Sequence, residues 1–255
     1  MSLLSTLEAY YDAAPRPLAT TEEVGPFTLF VRTSDQGWPF YARPALGYDG
    51  PCTAAQVTAV RRRQRELDVP ESLEWVHETA PTLLAAAREA GLHVSECPLL
   101  VLHCGADAVT APLPDEYSVS MLSADSPDLG SVIGAVDAGF MGTDDVTPRP
   151  PGPVPGLLRS GLMAMAGAYD GRGPVGGGSH SPRGTTTELA GIAVIPRARR
   201  QGVGAAVTAL LVADARERGI TTVFLSARDD TVARVYERIG FRRAGTACVA
   251  EAPVE

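Results

Sequence analysis

Glu188–Ala205, ELAGIAVIPRARRQGVGA, is the stretch whose reading decides the fold. It runs from β-branched residues (Ile192, Val194, Ile195) through a proline and a basic turn into Gly202-Val203-Gly204, then straight into a helical pattern. Strand, turn and helix start therefore follow one another without a spacer. The first N–H groups of a helix have no partner inside it, and glycines there let an anion approach the backbone closely. Each such contact is worth about 0.3–1 kcal/mol, and up to about 2 where partly buried. A pyrophosphate needs several donors plus nearby positive charge, and Arg197, Arg199 and Arg200 carry that charge.

A Gly-x-Gly beside a helix is often only a tight turn. A dinucleotide fold would want G-x-G-x-x-G here, and a P-loop would want G-K-[ST]. Neither is present, because Ala205-Ala206-Val207 follows. Arg199-Arg200-Gln201-Gly202-Val203-Gly204 does fit the pattern [QR]-x-x-G-x-[GA]. On those residues the sequence resembles the GCN5-related N-acetyltransferases (GNAT). A second stretch, Ala233 to Phe241, carries the Y-x-x-x-G-F ending of many members at Tyr236, Gly240 and Phe241. The resemblance covers roughly residues 110–250.

That resemblance implies an α/β fold, a twisted mixed sheet flanked by helices, with acetyl-CoA as co-substrate and no metal. The turn Arg199, Arg200, Gln201, Gly202, Val203, Gly204 and Ala205 would hold the pyrophosphate. Ile192, Ala193 and Val194 would offer backbone groups to the pantetheine arm, with Val223–Ser226 as the opposite wall. Tyr236 sits where the family places a hydroxyl donor for the leaving thiolate, and Glu188 where many members carry a water-activating carboxylate. Asp230 falls in the coenzyme-binding region where the family often has asparagine; a carboxylate turned inward there would repel phosphates. His180 competes for the role of base but reads better as a loop histidine.

The first half of the chain repeats the second at one fixed offset. Val76–Leu92 lies without gaps over Leu225–Phe241, the helix at 56–67 over that at 205–216, and the strand at 39–46 over that at 188–195. One offset over four elements points to tandem related folds, with expected domains at 1–105 and 106–255. The copies differ where chemistry would sit. Thr53-Ala54-Ala55 stands where the second has Gly202-Val203-Gly204, with no basic residue beside it, and Ala87 stands opposite Tyr236. The first copy is thus expected to be degenerate.

Between the repeats the pattern is weaker. A helix is expected at 2–13, strands at 26–32, 117–122, 162–169 and 174–179, and a helix at 127–141. Thr147–Gly156 carries five prolines, a composition that resists helix and sheet and suits a loop over an acceptor pocket. Thr53 is a plausible N-cap for the first repeat's helix, whose run Arg61, Arg62, Arg63 and Arg65 reads as a solvated face or, less readily, a patch for an acidic partner.

Composition sets bounds. At 255 residues, 45% hydrophobic and 20% charged, the chain can bury its cores without staples. A net charge of −8 argues against nucleic acid and suits a cationic amine substrate. Cys52, Cys97, Cys104 and Cys248 have neither zinc spacing nor a disulfide framework, although Cys97 and Cys104 share one potential hairpin. With no signal peptide or membrane-length run, the expected place is the cytoplasm. The reading is an N-acetyltransferase acting on a small-molecule primary amine by direct attack in a ternary complex. Alternatives are another acyl-CoA or an acyl carrier protein as donor, or a non-catalytic CoA-binding regulatory module.

Overall fold

The computed structural model describes residues 2–34, 37, 39–102, 105, 106 and 108–253; Cys104, and with it the Cys97–Cys104 hairpin, lies outside them. Contacts divide the chain into two compact units. The first takes the described residues within 1–99, 226–233 and 243–255, and the second those within 100–225 and 234–242.

The first unit opens with α1 (Leu3–Ala13), started by the Ser2 side chain accepting from the Ser5 N–H. There follow β1 (Ala19–Val24), β2 (Phe27–Arg32), β3 (Ala42–Pro44), α2 (Ala54–Glu66), β4 (Ser72–Val76), α3 (Pro81–Glu89) and the start of β5 (His93–Leu102). Strands run in the order β1-β2-β3-β4, and β4 pairs antiparallel with Ala247–Glu251 of β11 (Phe241–Glu251). β3 and β4 are parallel neighbours. One apolar cluster of its core buries Phe27, Leu29, Val57, Val60, Trp75 and Leu83. β1 escapes a pattern reading because its sequence, ATTEEV, shows only shallow alternation at the sheet edge.

The arginine run on α2 is cross-linked rather than simply solvated. Arg61 and Arg65 both bind Glu71 at 2.6 Å, and Arg63 binds Glu22 at 2.7 Å and Glu66 at 3.1 Å. The described cysteines are free thiols, with Cys52 and Cys248 buried.

The second unit contains β6 (Ser118–Met121), α4 (Leu129–Met141), α5 (Val154–Arg159), β7 (Ala164–Asp170), β8 (Gly173–Arg183), β9 (Thr186–Val194), α6 (Val203–Glu217) and β10 (Thr222–Ser226). Strand order is β6-β7-β8-β9-β10, antiparallel except for the parallel β9–β10 pair. α7 (Asp230–Ile239) and β11 complete the chain. The two helix pairs keep the separation expected of a repeat, since α2 and α6 start at Ala54 and Val203, and α3 and α7 at Pro81 and Asp230.

Glycines on the central strands let both covering helices approach. A Cβ on Gly177 would stand 2.6 Å from the Ala166 carbonyl and 2.8 Å from Val132 of α4, while one on Gly178 would stand 3.2 Å from Val207 of α6. α4 and α6 therefore cover opposite faces of β8. The proline-rich stretch is pinned along α4, where the Arg149 N–H donates to the Gly130 carbonyl at 2.9 Å and its guanidinium pairs with Asp137 at 2.9 Å. It is not wholly irregular. α5 forms inside it because its proline lies in the first helical turn, where the missing N–H costs nothing.

His180 is a core residue of β8, not a loop residue. It is fully buried, with Nδ1 3.0 Å from the Thr187 hydroxyl and Nε2 2.8 Å from Asp214 of α6. Asp214 also binds Arg218 at 2.5 Å. Burial pushes the His180 pKa down and outweighs the opposing pull of Asp214, while Arg218 and His180 hold the Asp214 carboxyl low.

Two outcomes follow. A Gly177→Ala variant should lose about 1–3 kcal/mol in urea denaturation, because its methyl meets backbone and α4 side chains; unchanged stability would contradict this packing. Between pH 7 and 5 stability should fall, because the unfolded histidine accepts a proton near pH 6.5 and buried His180 only at lower pH. Below that, lowering the pH through the depressed Asp214 value removes a further contribution. Urea midpoints across pH 5–8 check this, and a flat profile would contradict it.

Candidate functional site

The site is built where β9 leaves its neighbour. β9 and β10 pair only from Thr186–Thr222 to Glu188–Phe224. On its other edge β9 stays with β8, but out of step. Gly177 faces Ala193 and Ser179 faces Ala190, so β9 spends three residues where β8 spends two. Gly191 lies in this bulge at φ +65°, a conformation that favours glycine. A bulge bends and twists its strand. Residues 189–194, with Ile192, Ala193 and Val194 among them, thus run on without a register partner on β10, and the strands part there.

The turn after β9 is built to hold a helix start open. The Ile195 N–H donates to the Val175 carbonyl at 2.9 Å and Pro196–Ala198 form a single tight turn with Ala198 buried. Arg200 and Gly202 then take positive φ values of 61° and 84°. Gly202 is the N-cap of α6, and no side chain caps it. The leading N–H groups of Val203, Gly204 and Ala205 are therefore not satisfied by a capping side chain. A Cβ placed on Gly202 would meet nothing within 4 Å, so the space beside the N-cap is open. Uncapped donors, open space and adjacent guanidinium groups fit an anionic phosphate.

The arginines divide their work. Arg199 donates to the Val194 carbonyl at 3.0 Å and to the Gly139 carbonyl of α4 at 2.6 Å. Arg197 pairs with Asp170, whose carboxyl it helps to hold low, and its N–H donates to Asp144 at 2.9 Å. Arg199 locks the turn to the end of β9 and to α4, and Arg197 locks it to β7 and to the segment after α4. Arg200 is exposed, and Gln201 beside it is exposed too. Sequence reading missed the partner of this clamp, Gly139. A Cβ there would stand 2.9 Å from the Val194 N and 3.0 Å from the Ala193 Cβ. The glycines of LGSVIGAVDAG along α4 are the signal that points to it.

Glu188 occupies the last paired position before the strands part, half-buried. Thr187 faces His180 and α6, so by strand alternation Glu188 faces the α4 side. Tyr236 lies in the second unit on α7, with its ring edge-on to Phe241 at 5.9 Å. Burial pushes its hydroxyl pKa up to about 12, so it holds its proton at any ordinary pH. Asp230 opens α7 as an exposed residue of the first unit, where Arg243 binds it at 2.8 Å. His180 is shut inside the core and has no exposed surface.

The equivalent helix start in the first unit is closed by its own side chains. Thr53 and Gln56 form a reciprocal capping box on α2, and the Cys52 N–H donates to the Thr82 hydroxyl at 2.9 Å. Of the donors that α6 leaves without a side-chain cap, the one equivalent to the Ala205 N–H, that of Gln56, is thus used internally in α2.

Comparisons with known proteins agree with this geometry. Residues 152–241 match the family model described as acetyltransferase (GNAT) family. No curated protein matches the chain. Among solved structures, a GCN5-related N-acetyltransferase from Kribbella flavida superposes with a TM-score of 0.76 at 23% identity, over 100% of this chain and 97% of that one. A functionally unknown conserved protein from Staphylococcus epidermidis ATCC 12228 gives 0.61 at 18% identity, over 92% and 94%. A tandem GNAT protein from the clavulanic acid biosynthesis pathway gives 0.53 at 14% identity, over 99% and 98%. Among the described residues no helix is long and apolar enough to cross a membrane. Residues 152–241 therefore match the GNAT acetyltransferase family, and the chain as a whole shares the fold of GNAT proteins, a tandem one among them.

Proposed function

We propose that the chain is an N-acetyltransferase that moves an acetyl group from acetyl-CoA to the primary amine of a small molecule, by direct attack in a ternary complex. The observation that carries this reading is the parting of β9 from β10 after Glu188–Phe224 beside the uncapped, open start of α6. Gly202, Val203, Gly204 and Ala205 would take the pyrophosphate on their N–H groups, with Arg200 as the nearby exposed charge. Ile192, Ala193 and Val194 would take the pantetheine amides as a missing strand would be taken. Asp230, already bound by Arg243, would lie toward the coenzyme only as a neutralised carboxylate.

Acetyl-CoA supplies the activated acyl group; the chain's residues manage protons. An amine of pKa about 10.4 is mostly protonated at neutral pH, which withholds the nucleophile by about 4–5 kcal/mol. Glu188, at the vertex of the gap, would take that proton, directly or through a water. The departing thiolate, of pKa about 8.5, is stabilised by a hydrogen-bond donor. With a pKa of about 12, Tyr236 gives that hydrogen bond without surrendering its proton outright. Coenzyme A as donor is supported over a carrier protein by the arginines of α2, whose charges are matched by Glu22, Glu66 and Glu71.

The test is thiol release from acetyl-CoA with a library of primary amines. Release should require an amine. Tyr236→Phe should lower turnover by roughly 10²-fold while acetyl-CoA affinity changes little; an unchanged turnover would remove Tyr236 from the mechanism.

A further inference from the structure

The first unit holds a cavity of about 400 Å³ at the place where its own copy of the cleft would be. Its wall is formed by the stretch following β3, by Thr79 and Ala80 after β4, and by α1. Residues 44–49 and 79–80 correspond, at the separation of the repeat, to 193–198 and 228–229 of the second copy. The volume lies in the range that accepts a small organic molecule.

Its electrostatics are the reverse of those in the second copy. Where the second has Arg197, Ala198, Arg199 and Arg200, the first has Tyr48, Asp49, Gly50 and Pro51. Among the described residues lining the cavity there is no lysine or arginine. The phosphate end is shut, since Thr53 and Gln56 cap α2 and the Tyr48 hydroxyl donates to the Pro51 carbonyl at 2.9 Å. Ala9, Ala45, Leu46 and Ala80 give apolar walls.

Two carboxylates reach the cavity, and they are not equivalent. Glu8 is neutralised from behind. It pairs with Arg43, whose side chain is 1% exposed, and accepts from the Thr79 hydroxyl at 2.7 Å. Arg43 in turn lies over the Tyr11 ring, 5.3 Å from its centroid. This buried pair fixes the floor. Asp49 stands exposed on the lining, and no cation among the described residues lies within ion-pair distance of it.

We infer that this cavity binds a small organic amine, its ammonium group on Asp49 and its apolar body against Ala9, Ala45, Leu46 and Ala80. An anion is refused by the carboxylates and by the self-capped helix; a neutral molecule of the same shape gains the walls but not the ion pair. The site is separate from the gap between β9 and β10 and does not depend on the reading of that gap.

Calorimetric titration of the full chain with phenethylamine, and with 2-phenylethanol as its uncharged counterpart, tests this. The amine should bind at least about fivefold more tightly than the alcohol. Asp49→Asn, an exposed change of equal size, should remove that preference and keep the melting temperature. Ala9→Phe, which puts a ring into the cavity from α1, should abolish binding of both. Absence of amine binding to the unaltered chain, equal binding of amine and alcohol, or binding untouched by both variants would overturn the inference; the last would locate the amine elsewhere on the chain.

Discussion

Everything at the site depends on the parallel pair β9–β10 ending after Glu188 and Phe224. A strand edge without a ladder partner carries N–H and C=O groups that need one, and an extended amide chain can supply it. The bulge at Gly191 provides the bend, and β8 holds the far edge of β9 so that it does not collapse into the gap. The clamp of Arg199 onto Val194 and Gly139 then fixes the direction in which the strand end hands over to α6. Strand parting and helix start become parts of one device, which offers backbone groups rather than flexible side chains.

The two halves show how little must change to lose or reverse such a device. Both keep a strand, a turn and a helix at the same separation. In α6 a left-handed glycine leaves the helix start bare; in α2 a threonine and a glutamine close it. The second turn is basic; the first has Tyr48, Gly50 and Pro51 in place of the arginines and Asp49 in place of Ala198. The architecture is shared, while the sign of the charge and the state of the cap differ.

Sequence reading reached the parts governed by local chemistry. Thr53 as an N-cap, the helices at both ends of the repeat and the strand–turn–helix at 188–205 follow from neighbours a few residues apart. Parts set by distant partners stayed hidden. His180 reads as a loop residue beside glycines and serines because Asp214, which holds it, is far along the chain and meets it only once α6 has packed. Arg63 reads as solvated because Glu22 comes from an edge strand too polar to be recognised. The partner of Arg199 is a backbone carbonyl on α4, which leaves no side-chain trace. The bulge was equally silent, since Gly191 marks a kink only when the register of β8 is known.

The central claim is that one open helix start, in the second half, makes the coenzyme site. Titration calorimetry with acetyl-CoA, on the unaltered chain and on Gly202→Val, tests it most directly. One site per chain is expected, with an affinity weakened about tenfold or more by the valine, which is strained at φ +84°. Two sites per chain, no binding, or an affinity indifferent to Gly202→Val would contradict it.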